Sequence, residues 1–149
     1  MEHVVQKGGY AIRLGSHAEE SLPDLDPHII DYACDVRSQF RDPDFMDIAL
    51  IANCRFFVGS TSGLICVPPI FNVPSAQTNM APLYHTGYGR LMQYIPKLVY
   101  RETDNTALHF AEARRLGLFG FTEEDKFALS KRHIYESQGL HFVQNTPEE

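Results

Sequence analysis

The sequence predicts an α/β protein: a single three-layer domain whose parallel sheet carries helices on both faces. Three observations lead there. Strand patterns alternate with helix patterns along the chain. The central strand candidates are short, apolar and free of in–out alternation, as when a parallel sheet is covered on both faces. Its 149 residues suffice for one domain with its own core.

The first strand is expected over 10–14, between Gly8-Gly9 and Gly15. Residues 16–27 read as an acidic loop punctuated by Pro23 and Pro27. A second strand follows over 28–32, and 34–42 carries no decisive pattern. Asp42-Pro43 is a helix start, an N-cap residue before a proline in the first turn. Phe45, Ile48, Ala49, Ile51 and Ala52 then recur at helical spacing and are expected to form a buried stripe over 44–53. Residues 55–58 are the next strand. A helix should open at Ser62 and be ended or kinked by Pro68-Pro69. A strand over 73–78 leads into a long loop over 79–90. A strand over 97–100, an amphipathic helix over 106–116 stopped by Gly117, a helix start at Thr122-Glu123-Glu124 and a last strand over 140–143 complete the series.

Composition narrows the function classes. Hydrophobic residues at 44% and charged residues at 21% match an ordinary globular chain. The formal charge is -6, and the densest basic spots, Arg114-Arg115 and Lys131-Arg132, are two residues long. A nucleic-acid backbone is therefore not the expected partner. A small anion remains open, since an acidic protein can still hold a phosphate at one local site. Cys34, Cys54 and Cys66 are an odd set without a Cys-x-x-Cys pair, so free, buried thiols are expected rather than disulfides or a structural zinc. Seven histidines form no metal-binding spacing, so no metal site is expected. No signal-peptide pattern and no membrane span are visible, and a cytoplasmic location is expected.

The candidate site is Gly59-Ser60-Thr61-Ser62-Gly63, between a strand and a helix. In doubly wound sheets ligands bind at the carboxyl ends of the strands. Gly59 lets the chain turn, Ser62 is a candidate helix cap, and Gly63 admits a ligand to the backbone. Free amides, three hydroxyls and a helix dipole would favour an anion. The same residues also read as a plain turn and cap. A Gly-x-Ser-x-Gly nucleophile elbow, with Thr61 at the nucleophile position, is disfavoured because no acid–His pair stands out after it among His85, His109, His133 and His141. The loop lacks the Lys ending of a P-loop and the glycine spacing of a dinucleotide fingerprint. Arg13, at the end of the first strand, reads either as a phosphate partner or as an ion pair to Asp31 or Asp35. Asn79 reads either as a ligand contact or as a turn residue. Tyr84, His85, Tyr88 and Arg90 form a Gly-flanked loop that could fold over a base or sugar but reads rather as a surface loop or a contact to another domain. Glu102 and Asp104 could bond a ribose but read rather as an exposed acidic turn.

A resemblance adds to this reading. The stretch from Met46 to Gly63, followed by Phe71-Asn72-Val73-Pro74-Ser75, resembles the donor-binding half of glycosyltransferases with two Rossmann-like domains, the GT-B type. It is most similar to a bacterial family of glycosyltransferases linked to surface polysaccharide synthesis. Matching pieces stand in order along nearly the whole chain: Gly8 to Gly15, Ile30-Asp31-Tyr32-Ala33, Thr78-Asn79 with Ala81-Pro82, and Asn145-Thr146-Pro147-Glu148-Glu149.

The resemblance implies a Rossmann-like domain that holds a nucleoside diphosphate or nucleotide sugar. Ser60, Thr61, Ser62 and Gly63 would meet the phosphates, and Arg13 a phosphate or the leaving group. It implies no metal and no further cofactor, and it assigns no catalytic residue. The family's amino-terminal acceptor domain and closing helix have no counterpart among these 149 residues. A truncated or split transferase is therefore expected, completed by a homodimer or by a separate acceptor-domain partner. The alternative is a non-catalytic module that binds a small ligand or a partner chain.

Overall fold

Parallel strand pairing, expected from the apolar runs, occurs in both units into which the chain divides. The computed structural model describes residues 1–16, 18–23, 26–81, 83, 89–120, 124 and 132–146. The units are Met1–Asn53 and Cys54–Glu149. The molecule is a mixed α/β protein.

The first unit opens with a short helix, α1 (Glu2–Gln6), which the sequence reading does not anticipate. Its end is closed by the amides of Gly8 and Gly9, which donate to the carbonyls of Val5 and Val4. Strand β1 (Ala11–Ile12) pairs in parallel with β2 (Ile29–Ile30), Ala11 opposite Ile29. Both are shorter than the runs that predict them. Backbone bonds from Ala11 to His28 and from Arg13 to Ile30 carry the pairing beyond the strand ends.

Asp31 then organises the turn. It is 2% exposed and its carboxylate takes the Leu22 amide at 2.9 Å, the Cys34 amide at 3.3 Å and the Arg13 guanidinium at 3.3 Å. A π-type turn (Tyr32–Val36) and a 3-10 turn (Arg37–Gln39) follow, which is why 34–42 shows neither helical nor strand period.

Helix α2 (Pro43–Asn53) starts as expected, with the Asp42 carboxylate accepting from the Phe45 amide at 3.0 Å. The expected stripe needs correction. Ile51 is fully buried, but Phe45 and Ile48 are exposed, and Asp47 is buried in their place. Arg37 explains this: its guanidinium bonds the Asp47 carboxylate at 3.1 and 3.2 Å and also pairs with Asp44. A buried carboxylate persists when an arginine satisfies it. Burial pushes the neighbouring Tyr32 phenol up, and the Asp47 carboxylate adds to the shift.

In the second unit, β3 (Phe57–Gly59), β4 (Ser75–Met80) and β5 (Met92–Pro96) form a parallel sheet in that order. Phe57 lies opposite Ser75, and Ser75 opposite Met92. Strand β5 is absent from the sequence reading, because its polar Gln93 and terminal Pro96 hide it behind the preceding loop. The helix expected over 62–71 is also corrected. It is a 3-10 turn (Gly63–Cys66) and a one-turn helix, α3 (Val67–Ile70). Pro68 and Pro69 do not end a helix here. They sit in the first turn of a new one, where a missing amide costs no hydrogen bond.

Beyond β5 the pairing changes. Strand β6 (Leu98–Arg101) pairs antiparallel with β7 (Leu140–Val143), so the last expected strand is present outside the parallel sheet. Helix α4 (Phe110–Arg115) begins later than its pattern, because Leu108 donates to Val99 and Ala107 bridges to Tyr100. Gly117 ends it at φ 74, with Leu118 donating back to Ala113 and Gly117 to Arg114. That is the glycine stop expected from sequence. Leu118 and Ala113 join Leu83, Val99, Leu140 and Tyr135 of α5 (Arg132–Glu136) in the core of this unit. The Tyr135 and Phe142 rings meet at 4.4 Å.

Glu112 ties α4 to β6. Its carboxylate pairs with Arg101 and lies 3.4 Å from Arg115. The hydrogen bond to Arg101 holds its pKa below the ordinary 4.5. A carboxyl depressed by folding contributes stability above its unfolded pKa and loses it as the pH falls through the folded value. Acid melting curves below pH 4.5 should therefore be less steep for Glu112→Gln than for the native chain. Parallel curves would show that the pair contributes nothing.

The cysteines depart from expectation in part: Cys34 and Cys54 are half-buried, Cys66 is exposed, and none is disulfide-bonded. No helix among the described residues is long and apolar enough to cross a membrane. The expected helix start at 122–124 and the loop around Tyr84, His85 and Tyr88 lie largely outside the described residues.

Candidate functional site

Three parallel strands end at one edge of the second unit, at Gly59, Met80 and Pro96. A hollow of about 310 Å³ opens there, lined by Ser60, Thr61, Asn79, Ala81, Lys97 and Gln144. That volume lies at the lower end of the roughly 300–1,000 Å³ typical of small-ligand pockets. Three of the sequence candidates, Ser60, Thr61 and Asn79, thus share one wall space. Lys97 and Gln144 were not among the candidates.

Each lining residue has a local reason for its place. Gly59 closes β3 beside Phe57: a Cβ there would stand 2.6 Å from the far end of the Phe57 ring, which would have to shift to admit it. Thr61 fastens the loop, its hydroxyl donating to the Ala81 carbonyl at 3.1 Å and lying 3.4 Å from the Ala81 amide. Ser60 and Ser62 are exposed at the strand's end. Ser62 makes no side-chain cap, so the expected capping role is corrected. With a four-residue 3-10 turn behind it, the loop also lacks the long helix whose dipole was expected to attract an anion. Gly63 does leave its flank open, since a Cβ there would meet nothing within 4 Å.

Asn79 sits where the register between β4 and β5 shifts, at φ 54. Its amide donates to Asn145 Oδ1 at 2.6 Å, and its Oδ1 accepts from the Asn145 amide at 2.7 Å. Lys97 is the one residue between β5 and β6, and its amide continues the ladder to the Met80 carbonyl at 2.9 Å. Among the described residues no carboxylate lies within ion-pair distance of it. The hollow therefore combines one cation with hydroxyl and amide groups. A lone lysine between two apolar runs was the sequence signal for it.

Arg13 belongs to the other unit. Its guanidinium bonds Asp31, the Glu20 carbonyl at 2.9 Å and Cys34 Sγ at 3.6 Å. Of its two sequence readings, the ion pair to Asp31 is the one observed. Glu102 and Asp104 are exposed, and Asp104 bonds the Thr106 amide and hydroxyl. Among the described residues no group of three or more His, Cys, Asp or Glu could hold a metal ion. No family model, curated protein or solved structure matches the chain.

Proposed function

We propose that the hollow at the carboxyl edge of β3, β4 and β5 binds the phosphates of a nucleoside diphosphate carried by a nucleotide sugar, and that the chain is a Rossmann-like, three-layer donor-binding domain of a glycosyltransferase. One observation carries the reading. Ser60 and Thr61 of the loop after β3, Asn79 of β4 and Lys97 after β5, three segments apart in sequence, converge beyond the ends of parallel strands. That edge is where doubly wound sheets take their ligands. Lys97 supplies the point charge for a phosphate, and Ser60 and Gln144 supply neutral donors beside it. In a transfer reaction such groups stabilise the diphosphate as it leaves, without a metal.

Calorimetric titration with UDP, GDP, ADP, CDP and dTDP, each alone and as its glucose adduct, tests the reading. Saturable binding of one base series, weakened by Ser60→Ala, is expected. Absence of binding by every one of these at millimolar concentration would overturn it.

A second reading is favoured by the surface of the same unit. Phe56, Val58, Ile70 and Phe71 are 47–72% exposed, and apolar surface of this kind suits a partner chain. A non-catalytic interaction module would then fit, with a second copy as the simplest partner. Sedimentation should show a monomer–dimer equilibrium at micromolar concentration. A pure monomer there removes the homodimer.

A further inference from the structure

We infer that Asn145 is a positioning residue of this hollow: its clasp on Asn79 holds Gln144 in the wall and couples ligand binding to the docking of the segment that follows β7. The inference rests on the phosphate-binding reading above.

The clasp consists of three bonds. The Asn79 amide donates to Asn145 Oδ1 at 2.6 Å, the Asn145 amide donates to Asn79 Oδ1 at 2.7 Å, and Asn145 Nδ2 donates to the Pro96 carbonyl at 2.9 Å. Together they join the end of β4, the end of β5 and the chain beyond β7, across 66 residues of sequence. Only a side chain that both accepts and donates can make this set, which is the chemistry of a carboxamide.

The clasp also explains a backbone feature. Asn79 holds φ 54, a conformation that side chains other than glycine rarely adopt and that asparagine tolerates best. With β4 and β5 out of register there, the Asn79 amide lies outside the ladder and Asn145 supplies its acceptor.

Each residue of the clasp either lines the hollow or is the sequence neighbour of a residue that does. Asn79 lines it, Gln144 lines it and precedes Asn145, and Lys97 lines it and follows Pro96. A ligand that contacts Lys97 and Gln144 together is met only while the clasp is closed. Linkage then runs both ways: the ligand must stabilise the clasp by as much as the clasp improves the affinity.

The test uses inorganic pyrophosphate as the probe. In the native chain, saturating pyrophosphate should slow hydrogen exchange at the Asn79 and Asn145 amides. Asn145→Ala should bind pyrophosphate about tenfold more weakly or worse. Val99→Ala, a core change in the same unit chosen as a stability control, should leave the affinity unchanged. Native binding that slows neither amide overturns the inference while leaving the phosphate-binding reading intact. Equal loss of affinity in Asn145→Ala and Val99→Ala also overturns it, since the clasp would then serve stability alone. If the native chain does not bind pyrophosphate, the phosphate-binding reading fails and the inference falls with it.

Discussion

Asp31→Ala is expected to lower the stability of the first unit by about 3–5 kcal/mol, the usual result of removing one member of a buried ion pair. The Asp31 side chain has no exposed surface, and its carboxylate receives two backbone amides and one guanidinium. Alanine would leave the Leu22 and Cys34 amides without their acceptor, at about 1–3 kcal/mol for each amide that water cannot reach. The Arg13 guanidinium is 23% exposed and recovers part of its hydration, so its share is the smaller one. Asp31→Asn keeps an acceptor and should lose less. Hydrogen exchange at the Ala11, Arg13 and Cys34 amides is the direct measurement. Unchanged protection in Asp31→Ala would show that the carboxylate does not hold this turn.

Lys97→Glu should have the largest effect on ligand binding. Charge-assisted hydrogen bonds contribute roughly 1.5–3 kcal/mol, so losing the ammonium alone predicts a weakening of about ten- to a hundredfold. Reversal adds repulsion between carboxylate and phosphate and should abolish detectable binding. Lys97 lies among half-buried residues, and its backbone bond to Met80 does not involve the side chain. The melting temperature should therefore change little, which separates loss of charge from loss of fold. Retained affinity for whichever nucleoside diphosphate the native chain binds would move the phosphates elsewhere.

Local signals with a direct physical cause were legible in the sequence. The Asp42 cap, the Gly117 stop and the presence of parallel pairing among short apolar strands follow from turn chemistry and apolar runs. What escaped depends on partners distant in sequence. Phe45 and Ile48 have the period of a core stripe, yet Arg37 draws Asp47 inward instead. The pattern over 106–116 is helical, yet β6 captures residues 107 and 108. Gln144 and Asn145 acquire their place from contacts with Asn79 and Pro96, and no local rule announces such a pair. Lys97 reads from sequence only as the first residue of the 97–100 strand, and its place at the hollow depends on β5, which its polar Gln93 and terminal Pro96 conceal.

The position of Lys97 has a consequence for how this edge can vary. One residue separates a strand of the parallel sheet from a strand of the antiparallel ribbon. Side chains alternate faces along a strand, so shifting the chain by one residue turns every following side chain to the opposite face. An insertion or deletion at this joint would swing the ammonium away from the hollow, or turn Val99 out of the core, or both. The spacing from Pro96 to Leu98 is thus shared between two tasks, packing one sheet and aiming a charge from the other. Substitutions around the hollow can adjust its chemistry one side chain at a time, whereas a change of length at the joint disturbs both tasks at once.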